Sequence, residues 1–140
     1  MTIGPITNTD SMAILREGTL GRLGCIADGE PYVVPVNYVF DERDIYVHSL
    51  PGKKIDALRA SPRACLQVDE VKDPYHWRSV IAYGKYEEIS DERTREDLLV
   101  TLFRRLPHMS PVESKLTNGL KEIIVFRIKV DKITGMGEDW

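Results

Sequence analysis

Short runs of β-branched and aromatic residues, each closed by a turn signal, recur along this chain and point to an antiparallel sheet. Residues 19–27 read as a strand, and Asp28-Gly29 behind them is a hairpin signal. Residues 32–40 form a second strand with Pro35 inside it. A proline has no N–H to give to a ladder, so Pro35 predicts an edge, a bulge, or a place where something other than a strand lies alongside. The polar cluster Asp41-Glu42-Arg43-Asp44 turns the chain into a third strand, 45–49, with Ile45 and Val47 on one face and Tyr46 and His48 on the other. Residues 63–71 and 77–89 supply two more strands around the loop Asp73-Pro74-Tyr75-His76, with Gly84 as a bend. Residues 122–130 alternate cleanly and make the last.

Three short helices fall between these runs. Thr9 or Asp10 caps the first, which carries Met12, Ile14 and Leu15 and stops at Gly18. The second begins at Gly52-Lys53-Lys54, shows Ile55, Leu58 and Arg59 at helical spacing, and is stopped by Ser61-Pro62. The third is capped around Ser90-Asp91-Glu92, runs through Leu98, Leu99, Leu102 and Phe103 to Arg104-Arg105, and ends at Pro107. Residues 107–118 read as a polar connection, and Trp140 as either frayed or docked on a neighbour. Six strands, mostly in hairpin order, predict a mainly β fold: a six-stranded antiparallel barrel decorated by helices, in one domain over residues 1–140.

Composition narrows the function classes. Hydrophobic content of 42% and charged content of 29% are those of a globular protein. A net charge of −3 argues against a general nucleic-acid binder. No apolar run approaches the ~20 residues needed to span a bilayer, and no secretory signal opens the chain, so the expectation is a cytoplasmic protein. Cys25 and Cys65 lie far apart without CxxC spacing and read as buried free thiols. His48, His76 and His108 stand singly, so no metal site is expected.

The lysine pair breaks a rule that the third helix obeys. A helix N-terminus carries roughly half a positive charge, which disfavours cations there. Its first N–H groups also lack intrahelical partners. Lys53 and Lys54 added to those donors make an electropositive pocket suited to a phosphate. His48 and Ser49, a few residues upstream, offer further donors. The same spacing also fits two lysines on a solvated surface and a His48 that merely packs. Trp77-Arg78-Ser79 offers an aromatic face, a guanidinium and a hydroxyl, or is a strand-end anchor. Neither GxGxxG nor GxxxxGK[ST] occurs.

A family resemblance rests on several of these segments in order. They are Gly21-Arg22-Leu23-Gly24-Cys25-Ile26, Pro31-Tyr32-Val33-Val34-Pro35-Val36-Asn37-Tyr38-Val39, Ile45-Tyr46-Val47-His48-Ser49, Gly52-Lys53-Lys54-Ile55-Asp56-Ala57-Leu58-Arg59-Ala60-Ser61-Pro62-Arg63 and Trp77-Arg78-Ser79-Val80-Ile81-Ala82-Tyr83-Gly84. Together they resemble the pyridoxamine 5′-phosphate oxidase-like flavoproteins, most of all the subgroup of nitroimidazole-resistance proteins. The resemblance implies an FMN-binding split β-barrel that forms a homodimer with two flavin sites at the interface. It implies that the strand holding Val36, Asn37 and Tyr38 runs along the isoalloxazine ring. Val47, His48 and Ser49 would then lie beside the ribityl-phosphate, Lys53 and Lys54 on the phosphate, and Trp77, Arg78 and Ser79 at further contacts.

The oxidase proper has arginine where Lys53 stands and glutamine where Ser79 stands, and its C-terminal substrate-phosphate motif has no counterpart here. What the resemblance implies is therefore a flavin-dependent reductase acting on a small molecule, with NAD(P)H as a candidate electron donor. His48, whose unperturbed pKa lies near neutrality, is a candidate proton shuttle, though a donor at the phosphate site is its favoured role. The alternative is a non-catalytic carrier of flavin, deazaflavin or haem.

Overall fold

Hairpin pairing accounts for most of the architecture. The computed structural model describes residues 2–105 and 123–138. In chain order these form β1 (Ile3–Pro5), α1 (Asn8–Glu17), β2 (Leu20–Ala27), β3 (Glu30–Asn37), β4 (Val39–Phe40), β5 (Asp44–Ser49), α2 (Lys53–Ala60), β6 (Arg63–Asp73), β7 (His76–Glu88), α3 (Glu92–Arg105) and β8 (Ile124–Glu138). The strands make one antiparallel sheet in the order β3-β2-β6-β7-β8-β5-β4, with β1 on β8. The sheet curls until β3 approaches β5 without pairing to it, which leaves the barrel split. The mainly β class and the split barrel are as expected from sequence.

Alternation divides each strand between the inside of the curl and its outer face. On β2, Leu23, Cys25 and Ala27 are buried while Arg22 and Ile26 are exposed. β6 does the same with Ala64, Leu66 and Val68 inside. α1 and α2 close the curl with Ile14, Leu15, Ile55 and Leu58, which join Leu23, Tyr38, Val47, Leu66, Phe126 and Ile128 in the main core. A second cluster lies under α3, where Leu99 and Leu102 cover Val39 and Val125, with Phe103 packed alongside. Burying a leucine or isoleucine fully contributes about 1.5–3 kcal/mol, so these contacts dominate what holds the helices.

The strand count differs from the expected six. β1 is too short to show a pattern, and the run 32–40 is divided at Tyr38. Tyr38 turns fully into the core, where its hydroxyl donates to the Leu15 carbonyl at 2.8 Å. β8 continues to Glu138, well past Val130, because it follows the long β7: Trp77 lies opposite Glu138 and Ile81 opposite Thr134. Gly135 hides that extension by weakening the β-rich pattern, yet it is required. A Cβ there would sit 2.3 Å from Ser11 Oγ of α1.

α1 starts earlier than predicted, capped by Thr7, whose Oγ1 accepts from the Asp10 N–H at 3.1 Å. α3 begins as expected, with the Asp91 carboxylate accepting from the Thr94 N–H at 2.9 Å. The stop at Pro107, the 107–118 connection and Trp140 lie outside the described residues.

Gly84 is the bend anticipated on β7. The register to β8 shifts between Tyr83 and Gly84, and a Cβ at Gly84 would lie 2.2 Å from the Lys129 carbonyl oxygen. Gly84→Ala is therefore expected to destabilise the fold by about 3 kcal/mol. Urea unfolding should show a lower midpoint with an unchanged slope.

Candidate functional site

β3 is an edge strand: among the described residues it pairs only with β2. Tyr38 N–H donates to the Thr19 carbonyl at 3.0 Å, and the pairing continues Leu20 to Asn37 and Gly21 to Val36. Antiparallel pairs alternate between bonded and non-bonded, so Val34 and Val36 face β2 with their backbone polar groups. Val33, Pro35 and Asn37 aim theirs outward. The missing N–H of Pro35 thus costs the ladder nothing. The outer edge presents N–H groups at Val33 and Asn37 and carbonyls at all three positions. Val33 and Asn37 side chains are exposed on the outer face, while Val36 is buried.

α2 begins beside the other end of β3. Gly52 provides no side-chain cap, and the first bond along the helix runs from the Asp56 N–H to the Gly52 carbonyl at 3.0 Å. The N–H groups ahead of it lack intrahelical acceptors. Lys53 Nζ sits 4.9 Å from the centre of the Tyr32 ring, a cation–π contact that ties the helix start to β3. Lys54 is half-buried, and loss of water pushes its ammonium pKa down, opposed only by the nearby Cys25 thiol. Among the described residues neither lysine has a carboxylate within ion-pair distance. A groove of about 460 Å³ opens here between α2 and the β2–β3 turn, lined by Ile26, Ala27, Asp28, Gly52, Lys53, Asp56, Ala57 and Ala60. Asp56 places one negative charge in the first turn, beside the lysine pair.

Strand alternation separates two donors that the sequence set together. Ser49 shares the side of β5 on which Val47 meets the core, and its hydroxyl donates to the Leu50 carbonyl at 2.8 Å. His48 faces the other way, with its ring edge-on to Phe103 of α3 at 5.3 Å between centroids. His48 therefore packs beneath α3, away from the α2 side of the strand. Val47 and Tyr38, at 1% and 0% exposure, commit their side chains to the core.

The β7 residues lie elsewhere in the chain. Trp77 Nε1 donates to Glu138 Oε1 at 3.0 Å, which anchors β7 to β8. Arg78 turns to the opposite side, 3.7 Å from Asp10. Ser79 stands on the outer face and accepts a hydrogen bond from Gln67 at 2.9 Å. β7 is three strand spacings from β3, roughly 14 Å. One chain thus brings Lys53, Lys54 and the start of β3 together, and leaves Trp77 and Ser79 apart from them. Sequence reasoning missed Tyr32 and Cys25 as neighbours of the lysines. Their pairing follows from the two-residue turn Asp28-Gly29, which sets Cys25 opposite Tyr32.

Both cysteines are free, with Cys25 buried and Cys65 half-buried, and burial pushes both thiols up. No helix among the described residues is long and apolar enough to cross a membrane.

Residues 7–136 match the pyridoxamine 5′-phosphate oxidase family. The chain belongs to this family. It is 28% identical to an uncharacterized protein of Rhizobium meliloti over 96% of this chain and 95% of that one. Among solved structures it is similar to a FAD-binding protein from Mesorhizobium loti, with 31% identity, a TM-score of 0.81, and coverage of 99% and 100% of the two chains. A candidate 5-nitroimidazole antibiotic resistance protein from Bacteroides thetaiotaomicron shares the fold at 22% identity and a TM-score of 0.75, over 99% and 91% of the two chains.

The burial of Lys54 makes a stability prediction. Because its folded-state pKa lies below the ordinary value of 10.5, the ligand-free fold bears the cost of the charge in full at neutral pH and sheds it as pH rises through the folded value. Lys54→Met is expected to raise the Tm of the ligand-free protein at neutral pH. That gain should shrink as pH approaches 10.5, which thermal melts across the alkaline range will register.

Proposed function

We propose that this protein binds a flavin nucleotide, with its phosphate at the start of α2 and its ring along the free edge of β3, and uses it as a flavin-dependent reductase of small molecules. One observation carries the reading: two cations without carboxylate partners stand at an uncapped helix N-terminus, beside an edge strand whose outward backbone groups have no protein partner among the described residues. Phosphate suits the first and the hydrogen-bonding rim of an isoalloxazine ring suits the second. Family membership and the FAD-binding relative support a flavin.

FMN is the form we favour. A terminal phosphate carries close to two negative charges, matching the two lysines. Asp28 and Asp56 line the groove beyond them and oppose the further anionic group that FAD would bring.

A bound flavin supplies the electron transfer itself. The chain's residues bind and orient: Lys53 and Lys54 hold the phosphate, and the backbone of Val33, Pro35 and Asn37 meets the ring. The separation of Trp77 and Ser79 from the lysines supports a site completed by a second copy of the chain. Val33, Ile26 and Met136, exposed on the outer face, suit such a homodimer. His48 packs against Phe103, which favours a structural role for it over a proton shuttle.

The purified protein should be yellow and release flavin on denaturation, and chromatography of what is released separates FMN from FAD. Replacing both lysines, Lys53→Ala with Lys54→Ala, should raise the flavin Kd about a hundredfold or more. Unchanged affinity would remove the phosphate assignment. Under anaerobic conditions NADH or NADPH should bleach the flavin and a nitroaromatic should restore it. Flavin that stays oxidised with both donors would indicate a carrier.

A further inference from the structure

The outer face of β2, β6 and β7 carries a directed chain of hydrogen bonds. Arg22 Nη1 donates to Asp69 Oδ2 at 3.2 Å. Gln67 Nε2 donates to that same oxygen at 2.9 Å and to Ser79 Oγ at 2.9 Å. Strand register builds this arrangement, since Arg22 lies opposite Gln67 and Asp69 opposite Ser79. The Asp69 carboxylate accepts here from Arg22 as well, so it fixes the nitrogen side of the Gln67 amide toward itself and removes the ambiguity of that group. Both hydrogens of that nitrogen then have acceptors. Ser79 Oγ accepts one of them, and its own hydrogen meets no acceptor among the described residues. A hydroxyl that accepts from one side is a stronger donor on the other. Ser79 therefore presents a polarised O–H on the outer sheet face, beside Ile81 and Met136.

We propose that Gln67, oriented by Asp69, is a positioning residue that holds the Ser79 hydroxyl as a hydrogen-bond donor to an acceptor atom on the pyrimidine edge of a flavin seated on the lysine pair of a second copy of the chain. The proposal rests on the flavin reading above. Gln67 touches no ligand; it acts through the direction it imposes on Ser79. Electron density on the pyrimidine edge rises when the ring is reduced. A donor there binds reduced flavin more tightly than oxidised flavin, so the Gln67–Ser79 pair shifts the potential as well as the affinity.

The test measures the Kd of oxidised and of dithionite-reduced flavin for the wild type, Ser79→Ala, Gln67→Leu, Gln67→Glu and the double variant Gln67→Leu with Ser79→Ala. Loss of one hydrogen bond predicts a rise in Kd of roughly tenfold for Ser79→Ala, larger for reduced than for oxidised flavin. Gln67→Leu should follow it in direction. Gln67→Glu should match Ser79→Ala, because at pH 8 the introduced carboxylate accepts the Ser79 hydrogen and turns it from the ring. The double variant should be no weaker than Ser79→Ala alone, since Gln67 acts only through that hydroxyl. Gln67 variants that bind both redox states like the wild type would overturn the proposal while leaving the flavin reading intact. So would effects of Gln67→Leu and Ser79→Ala that simply add. A wild type that takes up no flavin would overturn both.

Discussion

The two-residue turn Asp28-Gly29 fixes the register of β2 against β3, and the rest of the fold builds on that register. Both residues have positive φ, 53° and 77°, the conformation of a type I′ hairpin whose twist suits the flanking strands. Cys25 then falls opposite Tyr32 and Gly21 opposite Val36. Val34 and Val36 turn toward the core, and Tyr38 arrives where its hydroxyl meets Leu15 of α1. A slip of one residue would turn Val33 and Asn37 inward and take Tyr38 from the core. The same register decides which backbone groups β3 keeps for β2 and which it turns to the open edge. Pro35 is tolerated in mid-strand because its parity is the outward one.

Magnitudes explain how the fold carries a helix that starts with the wrong charge. Each lysine in the first turn costs about 0.3–1 kcal/mol against the helix dipole. Fully buried Ile55 and Leu58 contribute about 1.5–3 kcal/mol each. Asp56 in the same turn returns part of the electrostatic cost. Hydrophobic packing therefore fixes where α2 sits, and the lysines go where the packing places them. Lys54 is carried below the surface, beside Cys25, although water would solvate it better.

What sequence made legible was local, and what it hid was nonlocal. Asp28-Gly29, the alternation of residues 45–49 and the cap near Asp91 are all decided within a few residues, and all are found in the structure. The far half of β8 is not local: its strand character comes from β7 beside it, and Gly135 is there for Ser11 of α1. The candidate site divides in the same way. Lys53, Lys54 and the Pro35 strand announce themselves by breaking a local rule. Tyr32 under Lys53 requires the hairpin register, and Gln67 beside Ser79 requires the pairing of β6 with β7. His48 and Ser49 are adjacent in sequence, so a reading by proximity joined them; a strand sends neighbours to opposite faces.

The pattern of satisfied and unsatisfied charge separates site from scaffold. Arg16 pairs with Glu42, Arg59 with Glu88, Arg63 with Asp131, and Arg127 with Glu87 and Asp44. Such pairs are largely exposed and contribute little to stability, but they show how readily this surface finds partners for its cations. Against that background Lys53 and Lys54 stand with an aromatic ring and a thiol in place of a carboxylate. The Ser79 hydroxyl is the corresponding donor on the outer face, held by Gln67 and without an acceptor of its own among the described residues. One chain keeps these two groups on different parts of the sheet, three strand spacings apart. In the proposed site, a ligand with an anion at one end and hydrogen-bond acceptors at the other, lying where two copies of the sheet meet, would reconcile donors so separated. A phosphorylated flavin has that polarity, and a simple anion does not.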